Sequence, residues 1–406
     1  MGHEERPTIT MSSWGDYKEN TILSAVIDDF HGLHTGVRVK LLRIPFLRYS
    51  ARLFDMVARE NAPDVVFVNT GNVPEIFERG ILEPLNGYID SDSSFPISDF
   101  DQSLIERFTA DSKLYVLPRD ISPDCLVYYN KNAFDEVRLP YPSDQWTWDD
   151  LLTAAKALTR RENGRITRWG FVDDVVRLEP WIYSSGGRWV DDVRNPSHYV
   201  FDNPAVGRGL KFRADMILEH KVMPPPDWLA SSAVHTLDMF KKGLVGMFFS
   251  GLWYAPHFRA IRDFEWDVAM FPSGPGGRSF GGVGSGYGIL KSSGQKKSAW
   301  DLVKFLSGPE GEKKMTLAGL IQPALKSLGN SKVFLDGRPP HNKKLLLEAV
   351  QYGVYDPMIS NWSETHDAVI LPGLEGIWTG TSSAEKAVSL LFKEISRVLP
   401  IAGSGK

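Results

Sequence analysis

Residues 246–253, Gly-Met-Phe-Phe-Ser-Gly-Leu-Trp, lead a mostly apolar run into a tight Ser250-Gly251 turn and place the Trp253 ring just beyond it. Buried strand, turn and ring at the start of a helix, expected over 252–261, is the arrangement found outside the carboxyl end of a strand in an open α/β sheet. Such sheets place their ligand groups there. A flat apolar ring in that position can stack on the C–H face of a sugar, while Ser250 and nearby polar groups read its hydroxyls. The competing reading is a tryptophan that only caps the core.

Other chemistry-bearing patterns point elsewhere. His31 and His34 have near-ligand spacing, but they lie at a helix end beside glycine and read as structural, as do Tyr128 and Tyr129 in a strand. One cysteine, Cys125, excludes a disulfide framework and a multi-cysteine metal site, and its neighbours Leu126 and Val127 make it a buried, inert thiol. The alternating glycines of 281–288 open no helix, because Ile289 and Leu290 continue the strand, so they do not form a nucleotide loop. They permit close approach of backbone or ligand, with Gly284 as the candidate. Gly284-Ser-Gly286 lacks the spacing of a hydrolase elbow. The acidic neighbours Asp149-Asp150, Asp173-Asp174 and Asp191-Asp192 do not argue for a glycosidase, since adjacent residues need not straddle a bond. No metal and no cofactor is expected.

A chain of 406 residues is too long for one core and reads as about two domains. It is 42% hydrophobic and 24% charged, as a globular protein is, and no apolar run approaches the roughly 20 residues a bilayer requires. A net charge of −4 leaves no electrostatic footprint for nucleic acid. The 12 Trp, 13 Tyr and 22 Phe exceed what cores usually hide, so some should line a cleft or interface. The start of the chain has no apolar leader, and its first strand opens near Thr8; it reads as a chain from which a leader has been trimmed.

The elements alternate. A strand at Ile9–Met11, a helix through Ile22 to Phe30, a strand at Val37–Leu41, a helix over 49–60, the buried run Val65–Val68 and a short helix over 74–79 make a βαβαβα order. Thr147-Trp-Asp-Asp150 resembles a capping box before a helix carrying Leu151, Leu152, Ala155 and Leu158. Further helices are expected over 205–220, 234–241, 295–306 and 384–398.

Several landmarks occur in a telling order: Trp14-Gly-Asp16, Thr35-Gly36-Val-Arg-Val39, Pro63-Asp-Val-Val66 and Gly80-Ile-Leu-Glu-Pro-Leu85. After them come Tyr128-Tyr-Asn-Lys131, Thr147-Trp-Asp-Asp150, Phe240-Lys-Lys-Gly243, Gly246–Trp253, Phe271-Pro-Ser-Gly-Pro-Gly276 and Ala299–Leu306. Over nearly the whole chain this series resembles the extracytoplasmic solute-binding proteins of ABC sugar importers, the maltose-binding-protein-like family. The resemblance implies an α/β fold of two lobes, each a mainly parallel sheet flanked by helices, joined by three hinge crossings near 118–123, 264–266 and 319–323. It assigns 7–118 plus 267–319 to the N-terminal lobe, 122–264 plus 323–400 to the C-terminal lobe, and 119–121, 265–266 and 320–322 to the hinge.

It further implies a monomer, outside the cytoplasm in the periplasm or lipid-anchored at the surface. Such a chain holds a mono- or oligosaccharide in a cleft and hands it to an importer's membrane subunits without chemistry. A glycoside-acting enzyme or a non-sugar ligand is the alternative. The site candidates are Trp14, Asp16, Arg43, Asn69, Asp120, Asp124, Asp173, Trp181, Ser250, Trp253, Gly284 and Trp362. Asp16 and Asn69 could equally cap helices, Arg43 reads better as a salt-bridge partner, and which of Asp120 and Asp124 meets ligand stays open. At least one of Asp173 and Asp174 should face the cleft. Trp181 and Trp253 are the stacking platforms, with Trp362 as a third; Trp146, Trp148, Trp266 and Trp300 read as structural.

Overall fold

The computed structural model describes residues 6–173, 177–232 and 234–401. The chain divides into two compact units, Met1–Ser122 with Val283–Asp336 and Pro123–Gly282 with Gly337–Lys406. The chain therefore passes between units at 122/123, 282/283 and 336/337. The second and third passages lie later than the sequence reading placed them. The reason for the second is sheet pairing: Trp266–Met270 lies antiparallel to Leu126–Asn130 and so completes the second unit's sheet.

In the first unit the strand Thr8–Ser13 runs parallel to Arg38–Arg43, from Thr8 opposite Arg38 to Ser13 opposite Arg43. On its other side it runs parallel to Val65–Asn69. The strand Phe280–Ile289 adds antiparallel, with Ser285 opposite Asn69. Val65, Val66, Phe67 and Val68 are wholly buried, as a continuous apolar run in a sheet covered on both faces requires. The helix Tyr17–Leu33 buries Leu23, Val26, Ile27 and Phe30, the stripe its spacing predicts. Because three strands are parallel, Ser13, Arg43 and Asn69 all end at one edge of the sheet, and antiparallel Ser285 joins them there.

The second unit's sheet is mixed rather than mainly parallel. Its order is Trp266–Met270, Leu126–Asn130, Val245–Ser250, Arg165–Asp173, Arg160–Glu162, and only Val245–Ser250 with Arg165–Asp173 is a parallel pair. Ser250 and Met270 both lie opposite Leu126, and Phe249 lies opposite Asp173. The carboxyl ends of three strands and the amino end of a fourth therefore share one edge. The expected capping box is present, Thr147 accepting from Asp150 N while the Asp150 carboxylate accepts from Thr147 N. The last helix, Ala384–Val398, buries Ala387, Val388, Leu391 and Ile395 in a core that also holds Trp189 and Phe201.

Candidate functional site

The strand-end edge of the second unit gathers the groups best suited to a ligand. Trp253 lies in the short 3-10 turn Leu252–Tyr254 and is half-buried. Its ring folds back over the preceding turn so closely that a Cβ on Gly251 would come within 1.9 Å of it. Gly251 has φ −105°, which any residue adopts, so glycine is needed there for space and not for backbone conformation. The turn itself is fixed by Tyr128 Oη, which donates to Gly251 O at 2.8 Å. Directly before it, Ser250 is fully buried and its Oγ makes no hydrogen bond among the described residues. A buried hydroxyl without a protein partner is costly, and a water or a ligand oxygen can complete it.

The guanidinium of Arg177 lies 5.5 Å from the centre of the Trp253 ring, within cation–π range, and its Nη1 is 3.5 Å from Asp124 Oδ2. Asp124 is buried at the edge, just before the strand Leu126–Asn130. A Cβ on Gly281 would lie 3.2 Å from Asp124 Oδ2 and 3.5 Å from Glu179 Cβ, which places both acids around one backbone position. Glu179 accepts from Trp189 Nε1 at 3.3 Å and pairs with His366 Nε2 at 3.5 Å, while His366 Nδ1 is 3.2 Å from Asp367. Burial alone would lower the His366 pKa, but Asp367 and Glu179 outweigh it and hold it at about 10. Burial likewise would raise Glu179, yet His366 keeps its carboxyl below the ordinary range. The pair is ionised at neutral pH.

Three sequence candidates of this unit have other work. Asp173 is fully buried and grips Arg213 with both oxygens, at 2.7 and 2.8 Å, while accepting Trp181 Nε1 at 2.9 Å. Its charge is spent inside the unit; Asp174 lies outside the described residues. Trp181 is no stacking platform: it is wholly buried, edge-on to Phe271 at 4.9 Å and to Phe171 at 6.0 Å, with Trp148 alongside. Trp362 is 2% exposed and meets Trp189 edge-on at 5.8 Å in the helical core. Trp146, Trp148 and Trp266 are buried as expected here, as is Trp300 in the first unit.

At the first unit's edge, Trp14 follows the strand Thr8–Ser13 and stacks on Phe67 at 3.9 Å, with Tyr49 edge-on at 4.8 Å. It stays half-buried. Asp16 accepts from Glu19 N at 2.8 Å as the N-cap of Tyr17–Leu33. Asn69 Oδ1 accepts from Gly71 N and Asn72 N, at 3.0 and 2.9 Å, and shapes the turn into the helix Val73–Arg79. Arg43, exposed, forms no ion pair among the described residues; its Nε donates to Gly15 O at 3.0 Å. Asp120 is saturated by Arg119 Nε, Ser285 N and Ser285 Oγ at 2.6, 3.1 and 2.8 Å. Gly284 serves close strand packing, since a Cβ there would strike Leu104 at 2.3 Å.

Arg119, Arg177 and His366 were not found from sequence. Arg119 also pairs with Glu19 at 2.9 Å and lies 4.3 Å from the Phe67 ring centre, bracing the ring behind Trp14. Glu19 lies 100 residues from Arg119 along the chain, so no local pattern announces the pair. His366 comes from the last quarter of the chain, where the family landmarks are sparse.

A family model described as bacterial extracellular solute-binding protein matches residues 14–313. A putative binding protein of Brucella abortus is 23% identical over 354 residues, covering 86% of this chain and 83% of that protein. An uncharacterized lipoprotein of Streptomyces antibioticus is 22% identical over 304 residues, covering 73% of this chain and 66% of that protein. Among solved structures, an ABC substrate-binding protein from Listeria monocytogenes in complex with cycloalternan has a TM-score of 0.88 and 25% identity over 97% of this chain and 99% of its own. A maltose-bound protein of T. maritima has a TM-score of 0.84 and 22% identity over 97% of this chain and 100% of its own.

Proposed function

Because the chain belongs to the bacterial extracellular solute-binding protein family, we propose that its solute is a carbohydrate, a mono- or oligosaccharide, held without chemistry and delivered to the membrane subunits of an ABC importer. The observation that carries this reading is the half-buried Trp253 ring with the Arg177 guanidinium 5.5 Å from its centre and that guanidinium paired to Asp124, just beyond a strand ending in Ser250, whose buried hydroxyl makes no hydrogen bond among the described residues. A pyranose presents an apolar C–H face ringed by hydroxyls. An aromatic plane with a guanidinium close to it and a carboxylate paired to that guanidinium meets both features at once. The cycloalternan and maltose held by the similar structures support the same class of ligand.

Within this reading Trp253 stacks, Ser250 and Asp124 bind sugar hydroxyls, and Arg177 holds the ring and the acid together. In the first unit Trp14 and Arg43 are the contact groups, while Asp16, Asn69 and Asp120 build the edge they stand on. The chain acts as a monomer outside the cytoplasm, free in a periplasm or tethered to the cell surface by a lipid. A thermal-shift screen against mono- to pentasaccharides tests the reading. Stabilisation by at least one sugar, recovered intact, is expected. No shift with any sugar, alongside a shift with a peptide or a metal ion, would overturn it.

A further inference from the structure

Phe46 is a large ring left 42% exposed at the strand-end edge of the first unit, and the site described above gives it no role. It follows the strand Arg38–Arg43 in the 3-10 turn Phe46–Arg48. Its ring meets Trp14 at 74° with centroids 5.9 Å apart. Trp14 follows the neighbouring parallel strand, so the two rings form a corner built by adjacent strand ends. That corner is held from behind. Phe67 stacks on Trp14, Tyr49 meets it edge-on, and Tyr49 is fixed in turn by Ser12 Oγ at 2.6 Å and by Phe67 N at 3.0 Å.

Arg43 ties the two loops together through its bond to Gly15 O, and its two terminal nitrogens make no hydrogen bond among the described residues. A rigid apolar corner thus stands beside solvent-facing N–H donors. A protein partner needs a face of roughly 800 Å² with several apolar anchors. The exposed large apolar residues described on this unit are Tyr17, Leu33, Phe46 and Leu317, and of these Phe46 alone is in ring contact with Trp14. One ring wall and one guanidinium match a single sugar ring far better.

We propose that Phe46, Trp14 and Arg43 form a pyranose subsite on the first unit, with the Phe46 ring walling the C–H face and Arg43 donating to sugar hydroxyls. This rests on the carbohydrate reading and assigns it a contact residue from the loop after the second strand. The test is calorimetric titration of each sugar, from mono- to pentasaccharide, that binds the unaltered chain. Phe46→Ala should weaken binding roughly tenfold, Phe46→Leu should weaken it as much, and Phe46→Tyr should stay within about threefold. If a sugar binds the unaltered chain and Phe46→Ala binds it equally well, the subsite is wrong while the carbohydrate reading stands. Full affinity in Phe46→Leu would make the residue a mere prop for Trp14 and also overturns the subsite. Failure of every sugar to bind the unaltered chain overturns both.

Discussion

The Trp253 ring lies against Gly251 with no room for a Cβ, which would approach it to 1.9 Å. Glycine at the strand end and the ring two residues later are thus one device: the missing side chain makes the space in which the ring lies flat. Trp253→Ala should cost on the order of 1 to 3 kcal/mol of ligand affinity, as loss of a stacking plane does, with little change in melting temperature. Unchanged affinity with a sharply lower melting temperature would make Trp253 a core residue.

Gly251→Ala should weaken binding by displacing the ring, not by straining the backbone. In a Trp253→Ala background the same substitution should add almost nothing, because the clash is gone. Calorimetry on the four proteins of the cycle measures this, and additive losses would show that Gly251 matters for another reason.

Asp173→Asn should unfold the second unit's interior more than it disturbs binding. It strips the partner from the buried Arg213 guanidinium, held at 2.7 and 2.8 Å, and breaking such a pair from one side costs about 3 to 5 kcal/mol. Chemical denaturation should record the loss as a lower midpoint; a midpoint equal to that of the unaltered chain would contradict the pairing.

Much of the architecture was legible because it is local. The continuous apolar run Val65–Val68, the capping box at Thr147 and Asp150, and the buried stripe of Ala384–Val398 depend on neighbours a few residues away. The Trp253 turn was legible for the same reason. Trp181 and Trp362 misled because a tryptophan at a helix start looks alike whether its ring faces solvent or core. The deciding partners, Phe271 for Trp181 and Trp189 for Trp362, are remote in sequence. Asp173 misled likewise: it ends a strand where ligand groups gather, but Arg213, 40 residues on, claims its charge. Arg43 was expected in a salt bridge and instead its Nε reaches the backbone carbonyl of Gly15, with no ion pair among the described residues.

The Glu179–His366 pair gives stability a pH signature. His366 has its folded-state pKa raised from 6.5 to about 10, so its contribution is complete below pH 6.5 and is lost as pH rises through about 10. Urea midpoints of the unaltered chain and of His366→Gln should differ most near pH 6 and converge toward pH 10. A gap independent of pH would mean that His366 carries no extra proton in the folded chain.

In the proposed function, Trp253 and its polar neighbours hold a carbohydrate that leaves unchanged. Calorimetric titration with the sugars that shift the melting temperature, followed by mass analysis of the recovered ligand, tests it most directly. The expected result is saturable binding of one sugar per chain, lost or strongly weakened in Trp253→Ala, with the sugar recovered intact. Saturable binding that Trp253→Ala leaves untouched, or recovery of a cleaved sugar, would contradict it.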